Sequence, residues 1–192
     1  AGWGSGPEPR ISKQTLRIPL HFWKLWACIL LLVGASTAAV AEPSEDDQHV
    51  LKVMMAEREI GRLMTDYTWR LDAGDYDGYG KLFANGAILD PTGKVIATGS
   101  DAVAGLARHY LGHQPDIAVR HVISSPRIDV DLAAGTATAS SFLLTIQAPT
   151  GRPAYIFRVA SYHDRFRRIH GHWQFESRQE LTDWVLKEQE AR

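Results

Sequence analysis

The chain has a single cysteine, Cys28, in 192 residues. An intrachain disulfide is therefore excluded, and packing alone must hold the fold. A basic excess is also missing: 21 Lys and Arg stand against 22 Asp and Glu, for a net charge of −1. That balance offers no electrostatic footprint for nucleic acid. No Gly-rich phosphate loop and no zinc-ligand spacing occurs. Ser124-Ser125 and Ser140-Ser141 lack the strand–turn–helix setting of a nucleophile elbow. There is no internal repeat and no low-complexity tract. The apolar run Leu25–Ala41 is near the lower length limit for a membrane span, and its second half is only weakly apolar.

What is present at the N-terminus reads as an export signal. Arg10, Lys13, Arg17 and Lys24 precede the apolar run, and Ala39-Val40-Ala41 follows as a small-x-small cleavage pattern. An uncleaved anchor is the alternative. Cleavage would change the Lys/Arg count from 21 to 17 and the Asp/Glu count from 22 to 21, leaving a mildly acidic mature chain with no stable membrane insertion. The expected organisation is an N-terminal extension and signal over 1–41, a linker over 42–49, one domain over 50–185 and a tail over 186–192. The expected location is the periplasm or the exterior of a bacterium.

Within the domain, Val53, Ile60, Leu63, Met64, Tyr67 and Leu71 recur at helical spacing from about His49 to Leu71. Gly74 supplies a left-handed stop. Asp75 caps a second short helix to about Ala84, with Tyr79, Leu82 and Phe83 inward. Ala87–Asp90 and Val95–Thr98 form a hairpin around Pro91-Thr92-Gly93-Lys94. Ser100 or Asp101 caps a third helix to about Leu111, with Val103, Leu106, Ala107 and Tyr110 inward. Ala118–Asp131, Thr136–Ala148, Ala154–Arg168 and His172–Thr182 read as strands joined by short turns, hence as antiparallel neighbours. Three helices on one side of such a sheet give an α+β domain.

Three motifs stand out. The first is Ile60-x-x-Leu63-x-x-x-Tyr67-x-x-x-Leu71-Asp72-x-Gly74-Asp75, followed by Leu82-Phe83. The second is Arg120-His121-Val122-Ile123-Ser124-Ser125-Pro126. The third is Tyr162-His163-Asp164-Arg165-Phe166, followed by Gly171-His172-Trp173-Gln174-Phe175. In this order and spacing, over about residues 50–183, they resemble the SnoaL-like branch of the nuclear transport factor 2-like superfamily. The resemblance implies a cone-shaped α+β barrel, in which three N-terminal helices pack on a curved antiparallel or mixed sheet around an apolar pocket. Members include scytalone dehydratase, bile-acid 7α-dehydratase, hexachlorocyclohexane dehydrochlorinase, polyketide cyclases, ketosteroid isomerases and the small subunits of ring-hydroxylating dioxygenases. Several members are non-catalytic.

Asp72 falls in the last helical turn, where a carboxylate meets the negative end of the helix dipole. By itself it reads equally as a solvated turn residue. His121 alternates with Val119 and Ile123, which places an imidazole on an apolar strand face. A lone histidine there is ordinarily a core residue. The resemblance pairs these two positions as the catalytic Asp–His dyad of the dehydratases. A carboxylate that accepts from one ring nitrogen fixes the tautomer and frees the other nitrogen as a base. Tyr67 lies about 140° from Asp72 on an ideal helix. It is either a core tyrosine or, by resemblance, a third catalytic group that contacts the substrate oxygen. The resemblance also offers Arg178 as a substrate-binding residue, with Val119 and Ile123 lining the site. Strand alternation argues against Arg178, because Gln174, Glu176, Arg178 and Glu180 share the face opposite Trp173 and Phe175 unless a bulge intervenes. His109 and His113 are four apart, a possible metal pair without an evident third ligand.

The resulting expectation is an acid–base lyase or isomerase that needs no cofactor and no metal. Its partner would be a small hydrophobic molecule: a steroid, terpenoid, aromatic or polyketide-like compound. Assembly as a homo-oligomer, dimer or trimer, goes with the resemblance. The rival expectations are a non-catalytic domain that holds a lipophilic ligand, and a structural subunit of the dioxygenase type.

Overall fold

A computed structural model describes residues 42–112 and 116–186. The expected export signal with Cys28, His113 and residues 187–192 lie outside the described residues. Helix α1 spans Glu45–Asp72. It begins earlier than its apolar pattern suggests, so most of the expected linker is helical. The cause is a capping box. Ser44 Oγ accepts from the Asp47 amide at 3.1 Å, and the Asp47 carboxylate accepts from the Ser44 amide at 3.2 Å. Glu45, Asp46 and Asp47 also place negative charge at the positive end of the helix dipole. Ala56, Ile60, Met64, Tyr67 and Leu71 form the buried stripe, at spacings of three and four. Val50, Leu51, Met54 and Met55, in the first turns, are exposed.

Gly74 ends α1 with φ at +72°, and its amide bonds to the Leu71 carbonyl. Asp75 then caps α2, Tyr76–Lys81, by accepting from the Gly78 amide at 2.9 Å. Strands β1 (Ala87–Leu89) and β2 (Val95–Thr98) follow as a hairpin. Its turn is organised by Asp90, whose Oδ1 accepts from the Thr92 and Lys94 amides. Helix α3 spans Gly99–Leu111 with Thr98 at its N-cap position. Neither Ser100 nor Asp101 caps it, because the helix has already begun at Gly99. Its buried residues are Val103, Ala104 and Ala107. Tyr110 is exposed, its ring edge-on to His109 instead of on the core. The contact between α2 and α3 is close: a Cβ on Gly80 would lie 2.3 Å from the Ser100 carbonyl oxygen.

The remaining strands are β3 (Ile117–Asp131), β4 (Thr136–Pro149), β5 (Tyr155–Ile169) and β6 (His172–Val185). They form an antiparallel meander, and β1 joins β6 in parallel, giving the order β2-β1-β6-β5-β4-β3. The sheet is mixed and open, with edges at β2 and β3, so it is a curved layer and not a closed barrel. Bulges at Ser125-Pro126 in β3, Phe157 in β5, and Glu176 and Asp183 in β6 interrupt the registers. Each reverses the alternation of faces beyond it. Helix α1 packs across the inner face against β3 and β6. That face carries small residues at Ala137, Ala139, Ser141 and Ala160, which leave room for the rings of Tyr67, Tyr79, Phe83, Tyr162, Phe166 and Phe175.

Candidate active site

Asp72 is the last residue of α1, and its carboxylate meets β3 at His121. Oδ1 lies 2.7 Å from His121 Nδ1, and both carboxylate oxygens lie 3.1 Å from the His121 backbone nitrogen. An ionised carboxylate only accepts, so Nδ1 carries the proton. The neutral ring then presents the lone pair of Nε2. The His121 side chain is 3% exposed and that of Asp72 13%. Both side chains are therefore largely shielded from solvent. Val119 and Ile123 share the His121 face, as alternation requires, and both are half-buried.

Tyr67 is buried one and a half turns earlier on α1. Its ring centroid lies 6.2 Å from that of His121. Its hydroxyl is hydrogen-bonded to the hydroxyl of Tyr162 on β5. Tyr67 and Asp72 thus both lie beside the imidazole, so their divergence on the helix does not separate them. Burial raises the pKa of both phenols above the ordinary tyrosine value, that of Tyr162 well above it. For Tyr67 the nearby Arg178 cation opposes part of that rise. The pair is neutral at physiological pH and able to donate one proton.

Arg178 overturns the alternation argument. The extra residue Glu176 in β6 flips the strand, and Arg178 turns inward with 2% exposure. Its Nε and Nη2 donate to Asp164 Oδ1 and Oδ2 at 2.7 and 2.6 Å, a bidentate pair. The guanidinium carbon lies 4.0 Å from the ring centroids of both Tyr67 and Tyr162, and 4.8 Å from that of Phe175. Burial works against the Arg178 charge, but the charge and hydrogen bonds of Asp164 outweigh it and hold the group protonated. Arg178 therefore forms the floor beneath the tyrosine pair.

Several residues of this interior escape a sequence reading. Asp164 is fully buried between Tyr162 and Phe166 on one strand face. A carboxylate flanked at i±2 by inward aromatics is a usable signal of a buried ion pair. Thr145 lies cross-strand from both His121 and Arg158 on the inner face. Arg158 Nη1 pairs with Glu180 Oε1 at 2.9 Å, and both side chains are about one-quarter exposed, at 27% and 26%. Nothing local in the sequence marks these as neighbours. Of the histidine pair raised as a metal site, His109 lies on α3 beside Tyr110, whereas His113 is outside the described residues.

Residues 53–179 match the SnoaL-like domain model. No curated protein matches the chain significantly. Among solved structures, a nuclear transport factor 2-like protein with a cystatin-like fold from Novosphingobium aromaticivorans is 22% identical. It covers 74% of this chain and 93% of its own, with a TM-score of 0.64. A proposed scytalone dehydratase from the same organism is 25% identical, covering 72% and 91%, with a TM-score of 0.58. A Catenulispora acidiphila protein in complex with S-DNPA is 19% identical, covering 66% and 92%, also at 0.58. These likenesses are likenesses of fold. The chain belongs to the SnoaL-like family, which includes polyketide cyclases and dehydratase-like enzymes.

Proposed function

We propose that this protein is a cofactor-independent acid–base enzyme acting on a small hydrophobic molecule through the Asp72–His121 dyad. The observation that carries the reading is the 2.7 Å bond between the two largely buried side chains. In an elimination, His121 Nε2 takes a carbon-bound proton and the C–H electron pair becomes the new double bond. The C–O bond breaks, and the hydroxyl leaves as water with a proton from the Tyr67–Tyr162 pair. The imidazolium proton later restores that pair. In an isomerisation, the same base returns the proton to a different carbon while the tyrosines bond the enolate oxygen. Asp72 orients the ring and balances the charge of the imidazolium. A positioned base of this kind is worth about 10²–10⁴ in rate. The similarity to a proposed scytalone dehydratase supports elimination, and the aromatic lining suits a steroid, terpenoid, aromatic or polyketide-like substrate.

The test is a screen for loss of a hydroxyl or halide, and for double-bond migration, from lipophilic compounds. Parent and His121→Ala are compared. Turnover in the parent alone supports the reading, and equal turnover in both overturns it. A second reading, as a structural subunit or one member of a homo-oligomer, draws on a different observation. Val122 and Phe142 are exposed on the sheet face opposite His121. Sedimentation of the mature chain separates dimer or trimer from monomer. Residues 1–41 are proposed to act as a cleavable export signal, which N-terminal sequencing of the expressed protein tests.

A further inference from the structure

The inner sheet face holds polar atoms that the proposed mechanism does not use. Thr145 is 3% exposed, and its Oγ1 has no hydrogen-bond partner among the described residues. A buried hydroxyl without a partner is unfavourable and uncommon, so it calls for an explanation at each occurrence. Thr145 stands directly cross-strand from His121 on one side and Arg158 on the other. Adjacent strands lie about 4.8 Å apart, so Arg158 is rooted roughly 10 Å from His121 across the sheet. Arg158 Nε is likewise buried and unpartnered, while its Nη1 bonds Glu180. Glu180 in turn accepts through Oε1, from Arg158 at 2.9 Å and from Thr182 at 3.3 Å.

The three side chains differ in what they can exchange. Arg158 Nε only donates, a Glu180 carboxylate oxygen only accepts, and the Thr145 hydroxyl does both. The Arg158–Glu180 pair is neutral as a whole, and Asp72 adds a negative charge nearby. A carboxylate ligand on Arg158 Nε would add a further negative charge beside Glu180 and Asp72. An ether or halide could accept but return nothing to Glu180. A neutral hydroxyl meets all three demands.

We propose that Thr145, Arg158 and Glu180 form a hydroxyl-binding subsite on the sheet face that carries His121, so that the substrate is an alcohol or phenol whose bound hydroxyl is distinct from the carbon presented to the base. The assignment of the base rests on the function proposed above, and the subsite refines its substrate class. It also separates the substrate from bare hydrocarbons and haloalkanes, which the dyad alone does not.

The test measures binding of four probes to the full chain by calorimetry: 2-naphthol, 2-methoxynaphthalene, naphthalene and 2-naphthoate. 2-Naphthol is expected to bind at least ~10-fold more tightly than the other three, the effect of one or two well-made hydrogen bonds. Thr145→Val and Glu180→Gln should each remove most of that preference. Thr145→Val should also melt no lower than the parent, since it deletes an unpartnered hydroxyl and conserves shape. Equal binding of 2-naphthol and naphthalene, no measurable binding of 2-naphthol, or an undiminished preference in Thr145→Val overturns the subsite. A protein that prefers 2-naphthol yet turns nothing over would support the subsite and sink only the catalytic reading.

Discussion

The Asp72 carboxylate grips His121 twice, with Oδ1 2.7 Å from the ring nitrogen Nδ1 and both oxygens 3.1 Å from the backbone nitrogen. The second grip fixes where β3 passes the end of α1. The first fixes the tautomer. One side chain thus joins helix to sheet and sets the state of the imidazole, which separates its structural and chemical contributions by experiment.

Asp72→Asn should keep much of the join and lose the chemistry. The amide oxygen can still accept from the backbone, but it carries no charge to stabilise an imidazolium. A fall of about 10²–10⁴ in kcat, with KM within a few-fold, is the expected outcome of steady-state kinetics on any substrate found. A kcat within threefold of the parent would mean that the pair is structural.

The Arg178–Asp164 pair should behave as a buried ion pair. Removing Asp164 strands the Arg178 charge among Tyr67, Tyr162 and Phe175, and removing Arg178 strands the buried Asp164 carboxylate. Arg178→Leu or Asp164→Leu should each destabilise by about 3–5 kcal/mol, measured by urea unfolding. The double substitution should cost less than the sum of the two. Additive losses would show that the two charges do not depend on one another.

How far these features are legible in the sequence depends on the length of the pattern that carries each. The α1 stripe through Ile60, Met64, Tyr67 and Leu71 repeats over several turns, so its face is readable. The Val119–His121–Ile123 face is readable for the same reason, because no bulge falls among those three residues. Arg178 is misread by simple alternation because one extra residue, Glu176, reverses the strand just before it, and a bulge has no strong local signature. The start of α1 is hidden by its composition: Glu45 to Gln48 are all polar, and only the Ser44–Asp47 spacing marks them as a helical turn. The Thr145–Arg158–Glu180 neighbourhood depends on the register of three strands, which no single stretch of sequence specifies.

Gly80 shows how a small residue controls an interface. An added Cβ would meet the Ser100 carbonyl at 2.3 Å and the Ala104 Cβ at 2.9 Å. Both lie on α3, so Gly80→Ala must push α2 and α3 apart. A loss of about 1–3 kcal/mol is expected in urea unfolding, as for other overpacked contacts. Gly61→Ala is the control. Its Cβ would have no neighbour within 4 Å, and Ala favours the helix over Gly by about 1 kcal/mol. It should stabilise. Equal effects at the two positions would rule out close helix contact as the cause.

The tyrosine pair predicts an alkaline limit on stability. Burial penalises the phenolate of Tyr67 and Tyr162, so in the folded chain both keep their protons above the ordinary tyrosine value of 10.0. Tyr79 is shifted in the same direction by the same cause. On unfolding, each returns to that ordinary value. Above about pH 10 the unfolded chain therefore holds fewer protons than the folded one, and stability falls as pH rises. Below that value both states are protonated and these groups add no pH dependence. Urea midpoints should be flat with respect to these groups from about pH 8 to 9.5 and decline beyond pH 10. Tyr162→Phe removes one of the groups, so its midpoint should start lower but decline less steeply. A parent midpoint that holds steady through about pH 11, or an identical slope in the variant, would contradict neutral, buried hydroxyls at the centre of the site.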